Sequence, residues 1–340
     1  MIVDRYFYHC LTKGEKIVYK LVYEGIMQHK NLIPVPSEHL SEGSFERIFY
    51  AVTTDNPLLY YCNHSVMNLA QDQLGNVAFC PQYYFKEDQV KEHNKRIQQA
   101  ANQIIADLKL TEGSDYEKVV KLNDYFCKNI EYDEEGANMT DVTRVIMSHN
   151  ILGVFAQKRA QCEGIAKAVK VLLNAVDVKC IVADGVALRS DGSQCLHAWN
   201  IIKQDGVPYH VDITFNMGHT TNGNIGYDWL NLSDELMKGN HIPDYKLPEC
   251  PTDQLNYYRV NKAVFSSKRK AEEYVKREIK RGKRLLYMRF TGGLKTSDRY
   301  AELVQVMNQA MQDYGKEDER TMQISSAVGV ETNTLRVWVR

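Results

Sequence analysis

No run of apolar residues in this chain approaches the roughly 18 that a membrane-spanning helix requires. Met1 to Cys10 hold no basic stretch followed by an apolar one, so they do not read as a secretory signal. The expectation is a cytoplasmic protein. Charge of one sign is also missing: 42 Lys and Arg stand against 43 Asp and Glu, a net −1. That balance excludes nucleic-acid binding through the field of the whole molecule. The eight cysteines form no Cys-x-x-Cys pair. With no export signal a disulfide framework is not expected, and most are read as reduced thiols packed as small hydrophobes. Metal-ligand spacing is lacking too, since Cys62-Asn63-His64, even taken with His9-Cys10, fits no common zinc pattern. Gly223-Asn224-Ile225-Gly226 is not followed by the helix that a phosphate-binding loop needs. No cofactor and no metal are expected. Internal repeats and low-complexity segments are absent.

What is present has the proportions of a globular protein, 44% hydrophobic and 25% charged, in a chain long enough for additions to one large domain. Residues 15–24 read as a short helix or strand, and 38–55 as an amphipathic segment ending at Asn56-Pro57. Leu58–Cys62 and Asn76–Cys80 read as strands, and 87–109 as a long polar helix. Ser114 or Asp115 can cap a helix over 116–129, where Val119, Val120, Leu122, Tyr125 and Phe126 recur near a 3.6 period. A polar loop over 131–141 follows. Cys162–Val176 is spaced for a buried helix face, and strands are expected at 179–188, 195–203 and 207–215. The stretch 216–254 is rich in Gly and Pro. Beyond it the pattern alternates strand 257–265, helix 268–281, strand 284–290, helix 297–314 and strand 321–339. The expected organisation is an N-terminal α/β region over 1–110 that can belong to the core, a chemistry-bearing unit over 111–250, and a small α+β unit over 255–340.

Cysteine catalysis needs a thiolate, a base in hydrogen-bond reach and a group that fixes the base. Cys162 stands at an expected helix start, where the helix dipole favours a thiolate, and Lys158 and Arg159 would act in the same sense if near. Taken alone, such a cysteine is more often a buried structural one. His197 lies in Cys195-Leu196-His197-Ala198-Trp199, a strand pattern running to Asp205-Gly206, which is a hairpin signal. If Gln204 pairs with Val207, His197 falls opposite Thr214 and Trp199 opposite Asp212, which makes Asp212 the diagonal neighbour of His197. The other face then collects Leu196, Ala198, Ile202, Val211, Ile213 and Phe215 as a core surface. A slip of one residue would drive Asp212 into that apolar face, so pattern and chemistry require one register.

The blocks Ala160-Gln161-Cys162-Glu163-Gly164-Ile165-Ala166, His197-Ala198-Trp199-Asn200 and Tyr209-His210-Val211-Asp212-Ile213-Thr214 resemble the transglutaminase-like superfamily over about residues 115–215. Two departures stand out: Gln161 where the family usually has Gly or a small apolar residue, and Thr214-Phe215-Asn216 where it often has Thr-Trp-Asp. The resemblance implies an α+β, papain-like core with the nucleophile at a helix N-terminus packed on an antiparallel sheet. Carried over residue by residue, it makes Cys162 nucleophile, His197 base and Asp212 orienting acid. The Cys162 backbone N–H, at an unsatisfied helix end, is a natural oxyanion donor. Gln157, Gln161 and Trp199 are the candidates for a second donor or for cleft lining. The expected function is thiol acyl chemistry on an amide bond of a peptide or protein substrate, as a peptidase or amidase. The alternatives are a transglutaminase with an amine acceptor, and a non-catalytic scaffold that keeps the fold. Residues 262–284 carry ten Lys or Arg against three Glu, read as the solvated face of a helix rather than a nucleic-acid surface.

Overall fold

The computed structural model describes residues 4–136, 142–188, 192–316, 319 and 322–339, with 142–144 as backbone only. The expected polar loop lies outside the described residues from 137 to 141, as does Thr321 at the start of the last expected strand. The chain is α+β. Its central sheet runs in the order His241–Pro243, Lys179–Leu188, Gln194–Gln204, Val207–Val211, Leu230–Leu232, antiparallel throughout.

Helix Cys162–Ala175 packs on one face of this sheet. Its apolar spacing buries Ile165, Val169, Leu172 and Leu173. Ala166 meets Val182 and Ala198, and the Asn200 side chain donates to the carbonyls of Ala166 (3.0 Å) and Ile181 (3.2 Å). These two bonds tie helix to sheet by a buried polar group that has partners for its donors.

The hairpin forms as the Asp-Gly signal requires. Asp205 and Gly206 have φ of 48° and 84°, a left-handed pair that matches the twist of the flanking strands. Gln204 pairs with Val207, and the register holds to Asn200 opposite Val211. There the expected strand 207–215 stops. Asp212 instead caps a helix, Ile213–His219, through an Oδ1 that accepts the Phe215 N–H at 2.9 Å. The Asn216 side chain accepts from the Trp229 backbone and donates to Asn123, which holds that helix against its neighbours. Capping and tethering override the β propensity of Ile213-Thr214-Phe215. The hairpin ladder therefore ends before it could set Thr214 opposite His197 or Asp212 opposite Trp199, and His197 pairs with Gly185 on the other neighbouring strand. Leu196 is also displaced from the expected core face, being 83% exposed. Ala198 meets the helix, whereas Leu196, two residues nearer the strand start, lines a cleft.

Elsewhere the helices start where their caps dictate. Thr12 and Ser114 each close a capping box, opening Lys13–Met27 and Asp115–Asn129. The segment read as 38–55 is helical over Ser44–Asp55, and the long polar helix runs Glu87–Asp107. Leu58–Cys62 is not a strand, because Pro57 opens a 3₁₀ turn over Pro57–Leu59 and Cys62 makes only an isolated bridge to Tyr83. Val77–Phe79 is a strand as expected. The stretch 216–254 holds short strands at Leu230–Leu232 and His241–Pro243 that complete the central sheet. The segment 257–265 breaks into the helix Tyr257–Val260, capped by Asn256, and a strand at Val264–Phe265. The final expected strand is a hairpin of Ile324–Gly329 with Thr334–Val339.

Buried residues from Phe7 to Ile104 join those around Val169 and Leu172 in one apolar cluster, so the N-terminal region helps to build the bed of the Cys162 helix. A separate cluster gathers Phe265, Val275, Ile279, Met288, Met307 and Val337. Its helix Lys268–Lys280 buries Ala271, Val275 and Ile279, and turns its cations outward to Glu272, Glu273 and Glu302. Among the described residues no helix is long and apolar enough to cross a membrane.

Candidate active site

Cys162 is the first residue of its helix and is partly exposed. The chain enters through Lys158 in the left-handed region (φ 58°) and Gln161 extended (φ −88°, ψ 177°). Gln161 is pinned at both ends, its N–H donating to the Ser148 carbonyl (2.9 Å) and its amide to the Asp133 carbonyl (3.2 Å). A Cβ on Gly164 would come within 2.7 Å of the Ser148 carbonyl oxygen and 2.8 Å of that of Asn150, so only glycine allows the first turn to seat this closely. The expected cationic help is directed elsewhere. Lys158 bonds the Tyr125 hydroxyl (2.6 Å) and Arg159 pairs with Asp133 (3.2 Å).

His197 lies on the sheet beside this helix end. Its Nε2 is 2.7 Å from Asp212 Oδ2, with the two side chains 4% and 1% exposed. Burial alone would lower the His197 pKa. The Asp212 carboxylate, with Cys162 acting on the same ring, overcomes this and raises it to about 10. Burial opposes the Asp212 anion as well, yet the His197 charge and bonds from both histidines hold its pKa well below the usual carboxylate range. Nε2 is engaged by Asp212, so Nδ1 is the ring nitrogen left for the thiol. Oδ1 of the same carboxylate caps Ile213–His219, so one acid orients a histidine and starts a helix. The Phe215 ring, expected in the core, is partly exposed and lies 4.6 Å from the His197 ring centre.

These groups open on a cleft of about 1860 Å³, whose walls come from the N-terminal region (Tyr50, His64), the helix end (Cys162, Glu163) and the Phe215 helix. Glu163, next to the thiol, holds Lys167 at 2.5 Å and both His64 and His149 at 3.3 Å. Burial would raise its pKa, but Lys167 and the histidines keep it ionised, far below the usual range. Of the three expected cleft residues, only Gln161 lines the cleft, and its amide N–H is committed to Asp133. Gln157 is exposed, with its amide on Met147 Sδ. Trp199 is 1% exposed and donates its indole N–H to His210 Nδ1, so it is not free to meet a substrate oxyanion.

Among the described residues two groups have the donor types of a metal centre: His197, Asp212 and His241, and His210, Asp234 and Cys250. In the first, both Nε2 atoms are already engaged by Asp212 Oδ2. In the second, His210 takes the Trp199 proton on Nδ1, so its Nε2 is the protonated nitrogen and donates to Asp234 (2.8 Å). Two residues escaped the sequence reading. His241 Nε2 lies 3.0 Å from Asp212 Oδ2. Trp229 lines the cleft with its indole Nε1 buried and without a hydrogen-bond partner among the described residues. The usable signal was modest: one of two histidines and an Asp228-Trp229 pair inside a Gly- and Pro-rich stretch.

Residues 102–213, which contain Cys162, His197 and Asp212, match the transglutaminase-like superfamily. The kyphoscoliosis peptidase of Mus musculus is 24% identical over 129 residues, 36% of this chain and 19% of that protein, so this chain spans about a fifth of that relative. A crystal structure described as a TGase aligns over 43% of each chain at 14% identity and a TM-score of 0.31. A candidate cysteine protease from Cytophaga hutchinsonii aligns over 44% of this chain and 61% of its own at 9% identity and a TM-score of 0.27.

Proposed function

We propose that the transglutaminase-like segment, residues 102–213, is a thiol acyl-transfer centre that cleaves an amide bond of a peptide or protein. The observation that carries this reading is the buried 2.7 Å His197–Asp212 pair acting on a thiol at a helix N-terminus in an open cleft. Cys162 Sγ attacks the carbonyl carbon while His197 holds the thiol proton on Nδ1. Asp212 keeps the imidazolium in place without taking its proton. The C–N bond then breaks as His197 gives that proton to the leaving amine, and an acyl-thioester remains on Cys162. Water, deprotonated by the same imidazole, releases the acid and restores the thiol. An amine in place of water would give transglutamination. The Cys162 N–H at the open end of its helix is the donor we assign to the oxyanion.

Residues 255–340 serve recognition or assembly in this reading, since no Cys or His follows Cys250. A non-catalytic scaffold is the competing reading. Mass-mapped alkylation by iodoacetamide at about pH 7 separates the two, with exposed Cys10 as an internal standard. Cys162 should react stoichiometrically and well ahead of Cys10, and His197→Ala should abolish that lead. Reaction no faster than at Cys10, with no turnover of a peptide library, would favour the scaffold.

A further inference from the structure

Asp212 is held by two imidazoles, and the second lies outside the segment 102–213. We propose that His241 is a positioning residue of this site: its Nε2–H fixes the plane and the negative charge of Asp212, so that the proton of the reaction stays on His197. The inference rests on the catalytic reading above.

The sheet is built to bring His241 there. Strand His241–Pro243 pairs at the sheet edge with Lys179–Leu188, placing His241 opposite Ala187, Ile242 opposite Val186 and Pro243 opposite Gly185. A Cβ on Gly185 would overlap the Ile242 carbonyl oxygen, so the edge strand can approach only because that residue is glycine. Asn240 closes the end of the pairing, its carbonyl accepting the Leu188 N–H (2.9 Å) and its amide donating to the Leu188 carbonyl (3.2 Å). Alternation along paired strands then sets His241, Ala187, Gly185, His197 and Trp199 on one face. The His241 ring, its side chain 1% exposed, is enclosed by Trp199 (4.9 Å), Phe215 (5.1 Å) and Trp229 (5.2 Å).

A ring so placed for packing alone would be better as an apolar side chain. His241 Nδ1 is buried with no hydrogen-bond partner among the described residues, a cost that leucine or phenylalanine would not carry. What the imidazole provides is one N–H aimed at Asp212 at 3.0 Å. Burial lowers its pKa against the pull of Asp212, so it stands as a neutral ring with the proton on Nε2. Asp212 Oδ2 thus receives two N–H donors and Oδ1 the Phe215 N–H. A carboxylate with three donors is a poor proton acceptor. The titratable groups facing His241 are Asp212, His197 and, across Trp199, His210.

The test uses the full chain and the rate of Cys162 alkylation. His241→Leu removes the donor and the orphaned Nδ1 together. Its melting temperature should change little, because the lost donor to Asp212 and the removed orphan nitrogen offset each other, while the rate falls about tenfold or more, the effect of losing one bond to a charged group. His241→Gln places an amide N–H near the position of Nε2 and should stay within about threefold of wild type. His241→Asn puts its amide near Nδ1, away from Asp212, and should behave like the leucine variant. In addition, the acid-side transition of the His197 ring, followed by NMR on histidine-labelled protein, should move to higher pH in His241→Leu, because Asp212 loses a donor to its charged form. Equal rates in wild type and His241→Leu, or equal losses in the Gln and Asn variants, would overturn the inference. If His241→Leu does not fold, the Gln and Asn pair decides. An unreactive wild-type thiol would instead sink the catalytic reading, and the His197 transition, unmoved by His241→Leu, would then count against His241 separately.

Discussion

Asp212→Asn separates the two tasks of the orienting acid. Asparagine caps helices about as well as aspartate, so its Oδ1 can still accept the Phe215 N–H and keep Ile213–His219 in place. The negative charge between two imidazoles is lost. Exposed ion pairs contribute about 0–1 kcal/mol, but this pair is 4% and 1% exposed, which puts it in the buried regime. Removing one partner there costs roughly 3–5 kcal/mol. With the carboxylate gone, burial is the main force on His197 and favours the neutral ring, so the equilibrium that carries the thiol proton onto the imidazole shifts against the ion pair by about two to four orders of magnitude. Iodoacetamide alkylation of Cys162 at about pH 7 should slow by a similar factor, while circular dichroism and a cooperative melt show the fold retained. A rate within about threefold of wild type in folded Asp212→Asn protein would refute the reasoning, since the His197 proton would then not depend on Asp212.

The same pair makes stability pH-dependent. His197 is raised, so its contribution is complete below about pH 6.5 and is lost as pH rises through about 10. Asp212 is depressed, so its contribution is present above about pH 4 and is lost in acid. Urea unfolding of wild type and Asp212→Asn should therefore differ most between about pH 4 and 6.5 and converge towards pH 10, and a constant difference over that range would contradict the assignment. Ser114→Ala removes a capping box and should cost about 1 kcal/mol by the same assay, with no change in thiol reactivity. A chain ending at residue 254 should keep Cys162 reactive if 255–340 serves recognition; loss of reactivity in a truncated chain that still melts cooperatively would show that the tail helps to build the site.

What could be read in advance was whatever local pattern controls. The Cys162 helix follows from apolar spacing on one face, and the hairpin from Asp205-Gly206, whose positive φ angles set Gln204 against Val207. The approach of His197 to Asp212 was legible because it depends on that register. The route was not, since Ile213-Thr214-Phe215 has strand composition, and the helix that forms instead is held by the Asp212 cap and by Asn216, bonded to Trp229 and Asn123. Tyr60-Tyr61-Cys62 misled in the same way, because Pro57 at a helical N1 position outweighed the aromatic run. His241 was beyond reach. Its role depends on an edge strand pairing with residues 185–187, more than fifty positions earlier, and on a missing Cβ at Gly185.

The Ile213–His219 helix has only seven residues, too few to persist alone. Its far end is fastened from the other end of the sequence. Arg336, 4% exposed, donates to the carbonyls of His219 and Asn224, and the Tyr258 hydroxyl bonds Asp228, which in turn holds His219 Nδ1 at 2.7 Å. The Arg336–His219 bond joins positions 117 residues apart. Contacts of that span close late, after local helices and hairpins have formed. During synthesis, the thiol helix and the Asp205-Gly206 hairpin can therefore assemble while the acid at the head of this short helix still lacks its final anchor. The residues around 336 thus clamp the far end of a helix whose head Asp212 has already capped, so the tail adds a last fastening to a site that the earlier elements have assembled.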